Sequence, residues 1–219
     1  MVNNRPTVYN TSSVYKTGAG GGGGDIPPEY TEHYFIRNKG RAKVVINKSI
    51  KGWGIEIIWA KNSYSQAGPI FFYGHNNGSN DLLGWSNGEF VLRNAGYTVT
   101  SASFNPPTYE LIKVDAKQNG SRRVNATIQY GQNNFTLSEN NATVMVTSNY
   151  IVLFGSNNNI YESVSTHCDI YAVKIFDTYQ ELQLDLVPCQ NNDTGEIGFY
   201  DKLNKVFYPA SVQEDVEIY

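Results

Sequence analysis

The sequence lacks the features that mark several large classes of protein. It has only two cysteines, Cys168 and Cys189, in 219 residues, which is too few for a disulfide framework. No apolar run reaches the roughly 18 residues that a membrane helix requires. Its 17 basic residues are outnumbered by 20 acidic ones, so we expect no basic surface for a nucleic acid backbone. We interpret the cysteines as two buried thiols, with their pairing left open, and predict neither membrane insertion nor a nucleic acid partner.

The residue patterns of common catalytic and metal sites are also missing. His33, His75 and His167 are far apart in the sequence, and no Cys-x-x-Cys or His-x-x-x-His spacing suggests a metal site. No serine lies in a nucleophile elbow. A glycoside hydrolase needs paired carboxylates, but there is no Glu-x-Asp-x-x-Glu arrangement, and Glu56 stands alone among apolar residues. We predict a protein that is not an enzyme, with glycoside hydrolysis as a distant third hypothesis.

Glycine, asparagine and tyrosine are abundant, and their distribution favours a fold made only of strands. Clusters of Gly and Asn separate short β-branched and aromatic runs, which is typical of strands joined by tight turns. Asn87-Gly88 is a favoured hairpin turn, and the unbroken apolar run at 150–154 suits an interior strand. We predict roughly a dozen strands in two antiparallel sheets of a sandwich.

The run at 168–177 is the longest predicted core strand. A strict alternation predicts two buried faces for it. The first face would carry Ile170, Ala172, Lys174 and Phe176, and the second would carry Tyr171, Val173 and Ile175.

The segment 184–210 has the pattern strand, turn, strand, turn, strand, which predicts a closing β-meander. Ten of its residues match a known order of apolar, Pro-Cys, Gly-Glu-Ile-Gly and aromatic positions: Pro188, Cys189, Gly195, Glu196, Ile197, Gly198, Tyr200, Asp201, Phe207 and Tyr208. In these residues the segment resembles the concanavalin A-like, LamG-type domains of bacteriophage virion proteins. The opening strands at 34–37 and 42–46 resemble the same domains more loosely, and they predict a hairpin around residues 38–41. The resemblance implies an all-β concanavalin A-like jelly-roll sandwich of two antiparallel sheets in a virion protein.

Residues 1–17 contain no pattern that could close a core alone, and a Gly/Pro linker at 18–28 follows them. A disordered leader is the simplest interpretation of such a segment. We instead predict an extended N-terminal arm that anchors the jelly roll, residues 29–219, to other proteins of the virion. Ordering the arm costs about 1 to 2 kcal/mol per residue, so its apolar side chains Val8, Tyr9, Val14 and Tyr15 would have to be buried elsewhere. A homotrimer of arms would do this, and a dimer or single copies in the particle surface are the alternatives.

The amino end has no apolar core of signal-peptide type, so we expect the protein to be made in the host cytoplasm and assembled into the virion. One loop has the character of a ligand site: His75, Asn76, Asn77, Asn80 and Asp81, with Trp85 shortly after it. Amides and carboxylates beside an aromatic ring can recognise a sugar, and the same oxygens could hold calcium, although the simpler interpretation is that they cap turns. We otherwise predict no cofactor.

The resulting hypothesis is a non-enzymatic fibre or decoration subunit of a phage particle. Its lectin-like sandwich would face outward and could adhere to host-surface glycans. The alternative is a carbohydrate-binding adhesin of a tail fibre.

Overall fold

The computed structural model describes residues 26–51, 54–64, 68–75, 80–86, 88–94, 97–100, 104–119, 123–139, 148–155 and 166–219. These residues form seventeen strands and one short 3-10 helix, Gln213–Asp215. The strands are β1 Tyr30–Glu32, β2 Ile36–Asn38, β3 Val44–Ile46, β4 Gly54–Lys61, β5 Gly68–His75, β6 Asn80–Ser86, β7 Glu89–Asn94, β8 Tyr97–Thr100, β9 Ile112–Asn119, β10 Arg123–Tyr130, β11 Asn133–Glu139, β12 Ser148–Leu153, β13 Cys168–Phe176, β14 Leu182–Asn191, β15 Ile197–Asp201, β16 Val206–Pro209 and β17 Val216–Ile218. The predicted arm residues Val8, Tyr9, Val14 and Tyr15, and the loop residues Asn76 and Asn77, lie outside the described residues.

The strands form two antiparallel sheets, which confirms the predicted all-β sandwich. The larger sheet has eleven strands, in the order β11-β10-β9-β4-β13-β14-β15-β16, with β1 on β14 and β2 between β13 and β17. The smaller sheet has the order β3-β12-β5-β6-β7-β8. The apolar strand β12 therefore lies inside a sheet, as its sequence predicted. In the part of the chain that the structure describes, no helix has the length and apolar character to cross a membrane.

The core lies between the inner faces of the two sheets. On β4 every second side chain is buried there, as Ile55, Ile57 and Trp59 illustrate, because successive side chains of a strand point to opposite faces. Cys168 and Cys189 are both buried and free, which confirms the interpretation of two unpaired thiols. Burial raises the pKa of Cys189 to about 12, so the thiol remains protonated at neutral pH.

The predicted alternation along β13 is wrong, because the strand contains a β-bulge. Its pairing with β4 shifts register between Ile170 and Ala172, and the extra residue changes which side chains face the core. Ile170 is therefore buried together with Val173 and Ile175, while Lys174 is exposed. The strand buries one face mainly, and its other face belongs to the outside of the sandwich.

The predicted opening hairpin is also wrong. β2 pairs with β13 and β17 in the larger sheet, whereas β3 pairs with β12 in the smaller one. The turn between them carries the chain from one sheet to the other. Arg37, on β2, therefore lies beside the C-terminal strand β17 and not beside β3.

The closing meander forms as predicted, and its motif residues have structural roles. A side chain at Gly198 would collide with the backbone carbonyl of Tyr208. Gly195 has a φ of 75°, which L side chains rarely adopt. Asp201 accepts hydrogen bonds from the backbone N–H groups of Asp185, at 3.1 Å, and Leu203, at 3.0 Å. These residues shape the turns of the fold.

Ile26 is the first residue that the structure describes, and it contacts the larger sheet. This side chain packs with Tyr30 and Phe207 against a small cluster on that sheet, formed by Val187, Cys189 and Tyr200.

Candidate functional site

Three strands bring charged side chains to one place on the outer face of the larger sheet. Arg37 on β2 is directly paired with Asp169 on β13 and with Glu217 on β17. Directly paired residues of antiparallel strands have their side chains on the same face. Since Ile36 is buried in the core, the neighbouring Arg37 points outward, and the other two side chains lie with it.

Arg37 and Asp169 form a bidentate ion pair. The Arg37 Nε donates to Asp169 Oδ1 at 2.9 Å and its Nη2 donates to Oδ2 at 2.7 Å. Asp169 is fully buried and the Arg37 side chain is only 14% exposed. Asn62 Nδ2 donates a third bond to Asp169 Oδ1 at 2.9 Å. Hydrogen bonding to Asp169 raises the pKa of Arg37 against the opposing effect of its burial, so the guanidinium remains charged.

Aromatic rings surround the Arg37 guanidinium. Its central carbon lies 4.7 Å from the ring centroid of Tyr219, 5.2 Å from that of Tyr109 and 5.3 Å from that of Phe35. The Phe35 ring stacks on Tyr219 at 4.8 Å and contacts Tyr171 at 4.9 Å. We call this set, Phe35, Arg37, Tyr109, Asp169, Tyr171 and Tyr219, the Arg37 cluster. Its rings and its cation hold one another in a fixed arrangement.

The two outer rings of the Arg37 cluster remain accessible. Tyr109 is 43% exposed and Tyr219 is 48% exposed. Tyr109 has a φ of 68°, a conformation that costs about 1 to 3 kcal/mol in a residue other than glycine. Its N–H group donates to the Lys61 carbonyl at 2.7 Å, which helps to hold it there. Tyr64, also at this end of β4, is half exposed, and its N–H donates to Asn62 Oδ1 at 2.9 Å.

Polar groups border the Tyr219 ring. Its hydroxyl donates to Glu217 Oε2 at 2.7 Å, and Lys39 Nζ donates to Glu217 Oε1 at 2.6 Å. The hydrogen bond from Lys39 lowers the pKa of Glu217, and the bond to Glu217 raises the pKa of Tyr219. At neutral pH the patch therefore offers exposed rings beside a carboxylate, a hydroxyl and an ammonium group.

A second aromatic contact lies next to the Arg37 cluster. Lys61 is the last residue of β4, and its Nζ lies 5.1 Å from the ring centroid of Trp85 on β6. The same ammonium donates to Asn105 Oδ1 at 3.3 Å and to the Pro106 carbonyl at 3.2 Å. Lys61 thus joins both sheets to the segment that leads to Tyr109.

The structure separates Trp85 from the other described residues of the predicted ligand loop. His75 ends β5, and Asn80 and Asp81 begin β6, where they pair with Gly74 and Tyr73. Trp85 pairs with Gly68 at the opposite end of the same hairpin, five residues and about 17 Å along the strand from Asn80. Trp85 therefore contacts Lys61 and is not part of the loop. Ligand binding by the loop at 75–81 stays a separate prediction.

Glu56 stands alone among apolar residues in the sequence, but in the structure it has charged neighbours. Across the outer face it pairs with Asp115 on β9 and with Lys174 on β13, and Lys117 Nζ lies 3.5 Å from Asp115 Oδ2. The two carboxylates thus lie opposite each other, with Lys174 and Lys117 beside them. Within the described ranges, no group of three or more His, Cys, Asp or Glu side chains is suited to hold a metal ion.

No protein-family model and no curated protein sequence matches the chain. Solved structures do match its fold. A SAP-like pentraxin from Limulus polyphemus is 9% identical with a TM-score of 0.50, over 67% of this chain and 76% of the pentraxin. The CBM40 domain of the Ruminococcus gnavus IT-sialidase, solved with α2,3-sialyllactose, is 12% identical with a TM-score of 0.50, over 70% of this chain and 92% of that domain.

The chain is a concanavalin A-like jelly roll. At these identities the likeness establishes the fold, and the function of a jelly roll depends on the side chains that it carries. In this jelly roll no local motif of the sequence indicated the Arg37 cluster. The available signal was the alternation around the apolar residues Ile36 and Ile218, in Phe35-Ile36-Arg37 and in Glu217-Ile218-Tyr219. That pattern predicts which side chains face outward, but not that the two strands are neighbours.

Proposed function

We propose that the protein is a non-enzymatic carbohydrate-binding module and that the Arg37 cluster is its binding surface. The observation that carries the proposal is that Tyr109 and Tyr219 are nearly half exposed while both rings pack on a guanidinium fixed by a buried carboxylate. The site therefore presents rigid aromatic surface rather than mobile side chains.

The chemistry of this surface suits a sugar. The C–H faces of a sugar ring pack on aromatic rings, and its hydroxyls need hydrogen-bond partners at the edge of the contact. Glu217 and Lys39 supply an acceptor and a donor beside Tyr219. Because the rings are already held in place, binding loses little side-chain entropy.

The comparisons are consistent with this proposal. The Ruminococcus gnavus domain that shares the jelly roll was solved with α2,3-sialyllactose. The exposed charges of Glu56 and Asp115 lie among lysines, and we assign them no catalytic role.

We further propose that the module is displayed on a phage particle. The support is the resemblance of the closing segment to LamG-type virion domains and the order of arm, linker and jelly roll. In this proposal residues 1–17 anchor the protein to other virion proteins, with a homotrimer as the expected assembly, and host-surface glycans are the target. Binding would need no metal or other cofactor.

A glycan array with the full-length protein tests the binding proposal, followed by titration calorimetry with the strongest ligand. Tyr109→Ala and Tyr219→Ala should each weaken binding at least about tenfold, because a well-packed tyrosine at the centre of an interface contributes this much. Tyr179→Ala is the matched control, since Tyr179 is 76% exposed and outside the Arg37 cluster. EDTA should change nothing. A blank array, or equal losses in all three variants, would refute the proposal.

Deletion of residues 1–24 tests the display proposal separately. The truncated protein should keep the circular dichroism spectrum and the glycan affinity of the full chain but no longer join particles. A truncated protein that still decorates particles would contradict the anchoring role. Mass measurement of the full-length protein at micromolar concentration tests the trimer, and a monomer would contradict it.

A further inference from the structure

We propose that Lys61 forms an anion subsite, so that the module prefers acidic glycans, with a carboxylate or sulfate group, over neutral ones. This inference rests on the proposed function and specifies its ligand class. The basic side chains at this end of the sandwich differ in their partners. Arg37 is neutralised by Asp169 and Lys39 by Glu217, whereas Lys61 contacts only neutral partners in the part of the chain that the structure describes.

The contacts of Lys61 leave bonding capacity for a ligand. An ammonium group has three N–H donors. Two of them are directed to the Asn105 amide oxygen and the Pro106 carbonyl, and the Trp85 ring lies beside the group. None of these partners carries a negative charge, so the full positive charge of Lys61 remains available to an anion.

The position of Lys61 is fixed before any ligand binds. Its side chain is tied to β6 through Trp85 and to the segment after β8 through Asn105 and Pro106. An unrestrained surface lysine would lose much of its conformational freedom when it bound an anion, and this lysine has already lost it. An anion held here would also accept a charge-assisted hydrogen bond from the Lys61 ammonium group, which is stronger than a hydrogen bond between neutral groups.

The Trp85 ring supplies a second indication. Its indole Nε1 is buried and has no acceptor among the described residues. A buried donor without an acceptor is costly, so such groups are usually satisfied by water or by a ligand. The ring that the Lys61 ammonium contacts therefore contains a buried donor that lacks a partner among the described residues.

The Lys61 subsite is close to the proposed sugar-binding rings. Asn105, which holds the ammonium, and Tyr109 are four residues apart, which corresponds to at most about 14 Å of chain. The Tyr109 N–H is bonded to the Lys61 carbonyl. Lys61 is paired with the core residue Cys168, so its side chain leaves the inner side of the larger sheet at the end of β4. An oligosaccharide that passes over this end could pack a neutral sugar on Tyr109 and direct an acidic group to Lys61.

The test compares three probes with the same core: lactose, 3′-sialyllactose and 3′-sulfolactose. Titrations use the full-length protein at about 50 and 200 mM salt, since the contribution of an exposed charge is screened between these values. We expect the wild type to bind one or both acidic probes at least about tenfold more tightly than lactose, and the difference to shrink at the higher salt concentration. Binding of only the sialylated or only the sulfated probe would identify the anion.

The variants separate a binding role from a structural one. Lys61→Gln should lower the affinity for the acidic probe about 10- to 100-fold, as expected for a hydrogen bond to a charged group, and leave lactose binding unchanged. Lys61→Arg should retain the preference. Lys117→Gln is the matched control, because that lysine already has a carboxylate partner, Asp115, and lies outside the proposed binding surface.

If Lys61→Gln weakens all three probes equally, Lys61 only supports the fold and the inference is overturned. Equal binding of all three probes that still depends on Tyr109 would overturn the inference but keep the proposed function. No binding of any probe, together with a blank array, would overturn both.

Discussion

Replacing Arg37 by Met should cost the protein a large part of its stability. The substitution keeps much of the side-chain volume but removes the cation, so the carboxylate of Asp169, which is fully buried, is left without its charge partner. Breaking a buried ion pair in this way costs about 3 to 5 kcal/mol. Loss of the guanidinium contacts to the exposed rings adds about 0.5 to 1 kcal/mol for each.

This magnitude distinguishes a buried pair from a surface pair. Lys39→Met is the matched control, because Lys39 follows β2 directly and pairs with the partly exposed Glu217. An exposed pair contributes only about 0 to 1 kcal/mol. The assay is urea unfolding followed by tryptophan fluorescence. With a slope of about 1 to 3 kcal/mol per molar urea, Arg37→Met should lower the midpoint by at least about 1 M, while Lys39→Met should move it little.

A double variant tests the electrostatic reason for the loss. Adding Asp169→Val to Arg37→Met removes the unpaired charge, and a buried pair can often be replaced by apolar residues without loss of stability. The double variant should therefore be more stable than Arg37→Met alone, with a coupling of at least about 1 kcal/mol. Additive losses, or a loss below about 1 kcal/mol in Arg37→Met, would refute the description of the pair as a buried, mutually dependent unit.

Two further predictions concern the closing meander. Gly198→Ala should destabilise the protein by about 1 to 3 kcal/mol or more, because the new methyl group meets the Tyr208 carbonyl. Gly195→Ala should cost about 1 kcal/mol, because Gly195 lies in open space but has a φ of 75°. Equal losses of stability in urea unfolding would contradict this difference. The thiol of Cys189 ionises near 9.0 in its ordinary state and at about 12 in the fold, so stability should fall as the pH rises through this window, by up to about 1.4 kcal/mol per pH unit. Cys189→Ala should make that fall shallower between pH 9 and 11, and an unchanged slope would show that the thiol does not contribute to it.

The sequence predicted those parts of the fold that depend on local signals. The meander at 184–210 has its own turn residues, and Asn87-Gly88 lies between β6 and β7 as its composition indicated. The apolar run of β12 likewise indicated an interior strand. In each of these cases neighbouring residues determine the structure, so composition and spacing are sufficient.

The two wrong predictions, the alternation along β13 and the opening hairpin, have a common cause. Both features depend on pairing between strands that are distant in the sequence. Alternation along β13 assumes an unbroken register, and the bulge before Ala172 interrupts it. The opening hairpin assumes that successive strands pair, but β2 is paired with β13 and β17. Nothing in the local sequence distinguishes these outcomes from the ones that we predicted.

The Arg37 cluster illustrates the same difficulty for the site. Arg37 and Asp169 are 132 residues apart, and Arg37 and Tyr219 are 182 apart. Their meeting depends on the placement of β2 between β13 and β17. The sequence reasoning therefore directed attention to the loop at 75–81, where suitable residue types are adjacent in the chain.

The arrangement around Arg37 is difficult to explain by stability alone. Elsewhere the outward-facing side chains of the larger sheet include charged ones, as at Glu56, Asp115 and Lys174, which suits a face in contact with water. At the β2–β17 end the same face carries exposed tyrosines on a buried ion pair. An apolar pair in place of that ion pair would serve stability at least as well, but it would not hold the rings through cation–π contacts and directed hydrogen bonds. The cluster instead maintains a rigid aromatic surface in contact with solvent, which is the property that a binding surface requires.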